Sequence, residues 1–565
     1  MHGFENYGSL GGSDLSGNNF GEQFSPSSVE PAYDLSFDSN RCGDEQPLNE
    51  AEFPVCPCLR GIGETEANPM VVLDDTGHGE GSRVEVHDRE TQPMAGLRSE
   101  ADIVASVRRL GDAIADEAIV LSSGASFMAL GGDSRAPCDV DIALPPEAVA
   151  YLRSQEGWEE DNGSLRNGEY DIGPGWGDQS YESLKERSWE TESGIKVASL
   201  SDVVSWKTWE RGDAKDMADI EEIRGRLLDP TKPPLPSRVI KDEIEIARAV
   251  LPEHLRDDPN AQVAIELAAN GLATVRALYG DDRIGRPNRI VGDLERPDHL
   301  VVATYHNGFG LPDDMRTLQQ HMDNIGATDE QRLRAMVADA YSDIVYGNGR
   351  KSDNPGGYDE LRSARLLEAH MLARGYSPEQ AAEYRETVLG TVFSEQTGRQ
   401  QGRHHPDPAV RGVAGVDLHT LSEPAGVPGS FDIGVEDMIS ARYSPSRTLG
   451  RAASEQGARI SSTEEALQFI DENPDLRPSN APEGPTIKQA LGNRLIANAG
   501  FFDPDSGKGY AYPDGWTLED QEVRREGAKE LRRIGTSILA GGMTAQDGLR
   551  EAREYQERWE AVGEY

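Results

Sequence analysis

The chain has 565 residues, with 100 acidic against 56 basic side chains and a formal net charge of −44. That length exceeds what one hydrophobic core supports and predicts two or three domains, while the charge argues against broad adhesion to nucleic acid or to anionic lipid. No apolar run approaches the ~18–20 residues that cross a bilayer, and the N-terminal "MHGFENYGSLGG" lacks the regions of a signal peptide, so a soluble, cytoplasmic protein is expected.

Residues 1–95 are rich in Gly, Ser, Asn, Pro and acids and carry almost no periodic apolar pattern, which predicts a disordered acidic tail. Cys56 and Cys58 form a lone "CPC" there, without the spacing of a four-ligand metal site. From about residue 99 the texture changes. "EADIVASVRRLGDAIA" has helical spacing, "EAIVLSSGASFMALGG" reads as a strand and a short helix, and "DVDIAL" reads as a strand. "NGEYDIGPGW" and "GIKVASL" are further strands, followed by helices in "SLSDVVSWKTWERG" and in "AKDMADIEEIRGRLL", where Met217, Ile220, Ile223 and Leu227 recur on one face.

The prolines of "DPTKPPLPSR" mark a linker, and residues 231–285 are assigned to linker and connecting helices. Beyond them the pattern is helical to the end. After Gly375, Ser377 supplies an N-cap, Pro378 a first-turn proline and Gln380 the partner of a capping box.

The chemistry is concentrated in "LGGDSRAPCDVDIAL". On a strand, residues two apart share a face, so Asp139 and Asp141 project together while Val140, Ile142 and Leu144 pack on the other side. Two such carboxylates repel unless a proton or cation lies between them. Hard oxygen ligands suit Mg²⁺, which takes one or two protein carboxylates together with phosphate oxygens.

The order of Ser123 and Gly124, Gly131 and Gly132, Arg135, then Asp139 and Asp141 resembles the minimal nucleotidyltransferases of the DNA polymerase beta superfamily, especially abortive-infection and toxin-like members. "IKVASLSDVVSWKTWERGDAKDMADI" resembles the same family's strand, lysine-bearing helix and K-D-x-x-D-I ending, through Lys207, Lys215, Asp216 and Asp219. The resemblance implies a nucleotidyltransferase-like domain over 96–230, with Ser123 and Gly124 at a phosphate-binding helix N-terminus and Asp139 and Asp141 as metal ligands. Asp171, in "GEYDIG", would be the third carboxylate, a general base or a ligand. Arg135 and Lys207 would reach the nucleotide, and Asp216 and Asp219 would hold helices together. Ala136, Pro137 and Cys138 depart from the pattern, which often has a threonine there.

A second resemblance covers about residues 298–425. "TYHNGFG", "AYSDIVYG", "YDELRSA" and "VAGVDLHTL" follow the order of motifs in HD-domain phosphohydrolases. Gly310 and Ser342 stand where two metal-binding histidines belong, leaving His306, Asp343 and Asp417 as a remnant. The resemblance implies an all-α HD-like domain over 286–565 that has lost hydrolase chemistry and serves to bind a nucleotide, cover the first domain or form an oligomer. The adjacent His404 and His405 could rebuild a site only by meeting Asp343 and Asp417 in one pocket.

The fold class expected is therefore α+β: a mixed-sheet domain, then a helical domain. The leading function is transfer of a nucleoside monophosphate from a nucleoside triphosphate, with Mg²⁺ or Mn²⁺, to a small molecule, protein or short RNA end, without membrane association. A homo-oligomer or an antitoxin-like partner is compatible with it. The alternative is a non-catalytic nucleotide-binding or regulatory protein in which both domains are degenerate. The orientation of Asp171 relative to Asp139 and Asp141 separates the two.

Overall fold

The computed structural model describes Leu97 and residues 99–562, apart from 162, 212–213, 292–299, 303–307, 347–357, 395–398, 418–425, 440–447, 459, 461, 480–481 and 504–517. The expected tail over 1–95, Cys56, Cys58 and His306 lie outside the described residues.

Helices α1 (Glu100–Arg108) and α2 (Asp112–Ala115) lead into a mixed sheet. Its strands are β1 (Ile119–Val120), β2 (Val140–Ala143), β3 (Glu159–Asp161), β4 (Ser164–Arg166), β5 (Tyr170–Gly173), β8 (Trp189–Glu190) and β9 (Lys196–Val197), in the order β3-β4-β5-β2-β1-β9-β8. A separate hairpin pairs β6 (Gly175–Trp176) with β7 (Gln179–Ser180). At the centre, β2 runs antiparallel to β1 and parallel to β5. Val140, Ile142, Leu144 and Ile172 are at most 1 % exposed, and burying such side chains contributes roughly 1.5–3 kcal/mol each.

Around the sheet lie α3 (Ser122–Ala129), α4 (Pro146–Arg153), α5 (Tyr181–Arg187) and α6 (Leu200–Trp206), then a π-helical turn at Lys207–Arg211 and α7 (Ala214–Leu227). Ser199 caps α6 by accepting from the Asp202 amide at 3.0 Å.

The segment 231–285, expected to connect, carries α8 (Lys241–Val250), α9 (Glu253–Arg256) and α10 (Gln262–Tyr279). Helix α10 is buried along most of its length and packs on α6 and α8, so this stretch belongs to the core. Even the proline-rich stretch is docked: Leu235 is buried and its amide donates to Asn270 Oδ1 at 2.8 Å.

The junction between the sheet region and these helices is a buried ionic network. Arg187 and Asp202 pair at 2.7 Å, and Arg187 also donates to the Arg283 carbonyl. Asp281 accepts from Arg283 at 2.7 Å, and Arg283 also reaches Glu243 at 2.9 Å. Burial opposes the charge on Asp281, yet Arg283, Arg276 and the Ser201 hydroxyl outweigh it and hold the carboxyl near 2.

The remaining helices are α11 (Leu311–Asn324), α12 (Asp329–Ser342), α13 (Tyr358–Ala373), α14 (Pro378–Leu389), α15 (Pro408–Val416), α16 (Gly426–Ile439), α17 (Thr448–Glu455), α18 (Thr463–Glu472), α19 (Ile487–Phe502), α20 (Leu518–Leu539) and α21 (Ala545–Val562). Helix α12 packs against α10, α14 and α15. The capping box of Ser377 and Gln380 forms as the sequence predicts. Among the described residues no helix is long and apolar enough to cross a membrane.

Candidate functional site

Asp141 is the second residue of β2, and its register partner on the parallel strand β5 is Asp171. Parallel neighbours in register point to the same face, so the sheet itself sets the two carboxylates side by side. Asp139 precedes the strand and is exposed, and its charge still acts on Asp141. Burial pushes the Asp141 carboxyl up to about 7, reinforced by the negative charges of Asp139 and Asp171 and eased by a hydrogen bond from the Ser122 hydroxyl and by the charge of Lys207.

Ser122 opens α3 with φ of 52°, a left-handed conformation that costs a non-glycine residue roughly 1–3 kcal/mol. The turn is held by the Leu121 amide, which donates to the Asp141 carbonyl at 2.9 Å. Ser123 and Gly124 follow in the first helical turn, which has no side-chain cap. First-turn amides carry the partial positive charge of the helix and suit anions.

Gly131 and Gly132, grouped with the glycine motif in the sequence, have another role. Their amides donate to the Met128 and Phe127 carbonyls at 3.3 and 2.8 Å, closing α3 with the left-handed Gly131 at φ 65°. They end the helix and turn the chain toward Arg135 and Asp139.

The cations are arranged behind and beside the acids. Lys207 is buried, with its ammonium 3.1 Å from Asp216 and 2.6 Å from Asp219. Arg135, half-exposed, donates to Asp219 at 2.9 Å and to the Ser123 hydroxyl at 3.3 Å. Asp219 thus anchors both cations, Asp216 joins it on Lys207, and Arg135 also touches the start of α3.

Arg166 was not singled out in the sequence. It is the register partner of Asp171 on the antiparallel strand β4, and it grips Asp171 Oδ2 through Nε at 2.8 Å and Nη2 at 2.7 Å while reaching Asp161 at 2.5 Å. A signal for it was present: Asn167-Gly168 is a hairpin dipeptide, and Gly168 has φ of 89°. Reading that turn pairs "SLR" with "YDI" and puts the arginine opposite the aspartate.

Above these residues lies a cleft of about 920 Å³, lined by Leu121, Asp141, Arg166, Asp171, Trp176 and Trp206 among others. Among the described residues no three His, Cys, Asp or Glu side chains converge as a metal cage. Mg²⁺ needs fewer, since one or two carboxylates suffice when phosphate oxygens complete the shell. The donor chemistry of Asp139 and Asp141, hard carboxylate oxygens set close together with the Asp141 carboxyl raised by burial and by its acidic neighbours, fits such an ion.

The helical region holds a second carboxylate group. Asp339, on α12, is buried with Oδ2 lacking a hydrogen-bond partner. Burial, then Asp343, pushes it up to about 8. Asp417, at the end of α15, is raised well above the usual carboxylate range by burial and by Asp343, Glu360, Asp339 and Asp314, and Gln400 donates to it. Asp343 caps the C-terminus of α12 and is exposed. His405 pairs instead with Glu386 at 3.2 Å and accepts from the Asp407 amide. His404 ends a short 3₁₀ turn at Gln401–His404.

Compared with known protein families, curated proteins and solved structures, the chain matches none.

Proposed function

We propose that the cleft lined by Asp141 and Asp171, together with the neighbouring Asp139, binds a nucleoside triphosphate with Mg²⁺ or Mn²⁺ and transfers its nucleotidyl group to an acceptor hydroxyl or phosphate. The observation that carries this reading is the register of Asp141 with Asp171 across two parallel strands, beside the uncapped first turn of α3. Packing alone gives no reason to crowd carboxylates, and a strained residue at the same point is typical of a working site.

Asp139 and Asp141 would hold the cation, which when bound neutralises phosphate charge and makes the acceptor oxygen more acidic. The chain's own groups do the rest. Amides of Ser123 and Gly124 bind phosphate oxygens, and the Ser122 hydroxyl orients Asp141. Asp171, held in place by Arg166, takes the acceptor's proton as its oxygen bonds to the α-phosphorus and pyrophosphate leaves. Lys207, enclosed between Asp216 and Asp219, acts as a positioning residue.

The helical region supplies support rather than hydrolysis in this reading, since the charges acting most strongly on Asp417 are acids. One observation favours a binding protein without turnover: Arg166 already occupies an oxygen of the proposed base. Calorimetry with Mg²⁺ and a non-hydrolysable ATP analogue separates these readings from none at all. Binding should weaken by at least about a hundredfold in Asp139→Asn with Asp141→Asn. Binding unchanged by that double substitution moves the nucleotide elsewhere. Pyrophosphate release from ATP, lost in Asp171→Asn, distinguishes an enzyme from a binder.

A further inference from the structure

The cleft has a second wall that the transfer chemistry leaves unused. It is formed by the β6–β7 hairpin and the end of α6. Trp176, on β6, stacks on Trp206, the last residue of α6, with ring centroids 4.5 Å apart and planes inclined by 24°. Trp176 is buried and Trp206 half-buried, and both line the cleft. Trp176 therefore backs Trp206 and fixes its plane.

The rest of this wall is thin. Gly173, Pro174, Gly175 and Gly177 line it, and a Cβ on Gly175 would stand 2.4 Å from the Gln179 carbonyl oxygen, so only glycine allows the hairpin to close this tightly. Beside the aromatic pair this stretch carries only small residues, which leaves a slot along the tryptophans.

Charge decides what fits the slot. Among the described residues its ionisable lining groups are Asp178 and, toward the sheet, Asp141, Asp171 and Arg166, the last two already answering each other. An anion gains nothing there, and phosphates have their own place at the first turn of α3. A neutral planar ring is what a tryptophan face in such a slot attracts, and stacking tolerates any base while favouring the larger ones.

We infer that this wall is a nucleobase subsite, in which the base of the bound nucleotide stacks on Trp206, braced by Trp176, with the triphosphate reaching back to Asp141. The inference rests on the nucleotide reading above and adds to it the group that selects the substrate. The volume agrees, since about 920 Å³ lies within the range of small-ligand clefts.

Full-length protein with Mg²⁺ should be titrated with ATP, CTP and inorganic tripolyphosphate by calorimetry, with tryptophan fluorescence recorded in parallel. ATP should quench the fluorescence and bind about tenfold tighter than tripolyphosphate, with CTP between them. Trp206→Leu should lose that advantage and keep the tripolyphosphate affinity, which also shows that it folds; Trp206→Phe should keep part of it. Should Trp206→Leu lose both probes, Trp206→Phe decides: an ATP advantage reduced but present supports the subsite, and an unchanged one overturns it. Equal affinity of wild type for ATP and tripolyphosphate, or a full ATP advantage in Trp206→Leu, overturns the subsite and leaves the phosphate and metal reading standing. Binding of no probe to wild type overturns both.

Discussion

The carboxylate group on the sheet and the one among the helices use the same side chain and differ in their surroundings. Asp141 is raised by burial and two acids, yet it has a hydroxyl donor and a nearby lysine, and its neighbour Asp171 has an arginine. Asp339 and Asp417 are raised by burial and by further acids. In the first case the fold supplies positive groups around the acids while leaving them at the wall of a cleft. In the second, protons do the work of neutralisation. A cluster of acids thus becomes a candidate site through the cations, dipoles and open volume that accompany it.

The largest effect is expected at Lys207, whose buried ammonium serves Asp216 and Asp219 together. Lys207→Met leaves two carboxylates in a dry setting and should cost about 3–5 kcal/mol, read from urea unfolding. Arg135→Gln removes a half-exposed partner of the same Asp219 and should cost less than about 1 kcal/mol. Equal costs would mean that Lys207 is better hydrated than its burial indicates.

Nucleotide binding gives the next contrast. The double substitution at Asp139 and Asp141 should lower Mg²⁺-dependent ATP affinity by at least about a hundredfold, whereas Asp339→Asn should leave it within about twofold. A reversed outcome would place the nucleotide among the helices.

Stability against pH sharpens the contrast further. Asp339 keeps its proton in the folded chain to about 8, while an unfolded aspartate loses it near 3.8. The folded state thus binds more protons between these values, and its stability falls as pH rises from about 4 to 8, by up to about 1.4 kcal/mol per unit from this group. Asp339→Asn should flatten that slope in urea unfolding measured across the same window. An unchanged slope would mean that Asp339 is charged when folded.

Much of the sheet was legible because local pattern and burial agree there. The alternation of Val140, Ile142 and Leu144 predicted one packed face, and all three are buried. Asp171 could be proposed from "GEYDIG", although its register with Asp141 depends on strand order, which no local pattern encodes. Arg166 is hidden in the sequence because Asn167-Gly168 runs directly into the "EYDIG" strand pattern, and its place opposite Asp171 appears only when the dipeptide is taken as a hairpin turn. Trp206 ends a helix whose apolar residues all suit a core, so nothing in its spacing distinguishes a cleft wall from packing. The prolines of 229–238 suggest a linker, yet buried Leu235, its amide hydrogen bond to Asn270, and the ion pairs of Lys232 with Asp133 and Arg238 with Glu100 dock that stretch.

Ser122, next to Ser123 of the glycine motif, offers the finest test of how the sheet site is tuned. Its φ of 52° is a conformation glycine adopts freely, so Ser122→Gly should leave stability unchanged or raise it by up to about 1 kcal/mol. The same change removes the hydroxyl that stabilises the charged form of Asp141, so that carboxyl should rise further above about 7. Because the acid must give up its proton to hold a cation, Mg²⁺ affinity should climb with pH and level off above that value. In Ser122→Gly the midpoint of that climb should move upward by about half a unit, measured by Mg²⁺ titration at a series of pH values. A midpoint that stays in place, in a protein that remains folded, would make Ser122 a turn residue only and would leave burial and the neighbouring acids as the sole controls on Asp141.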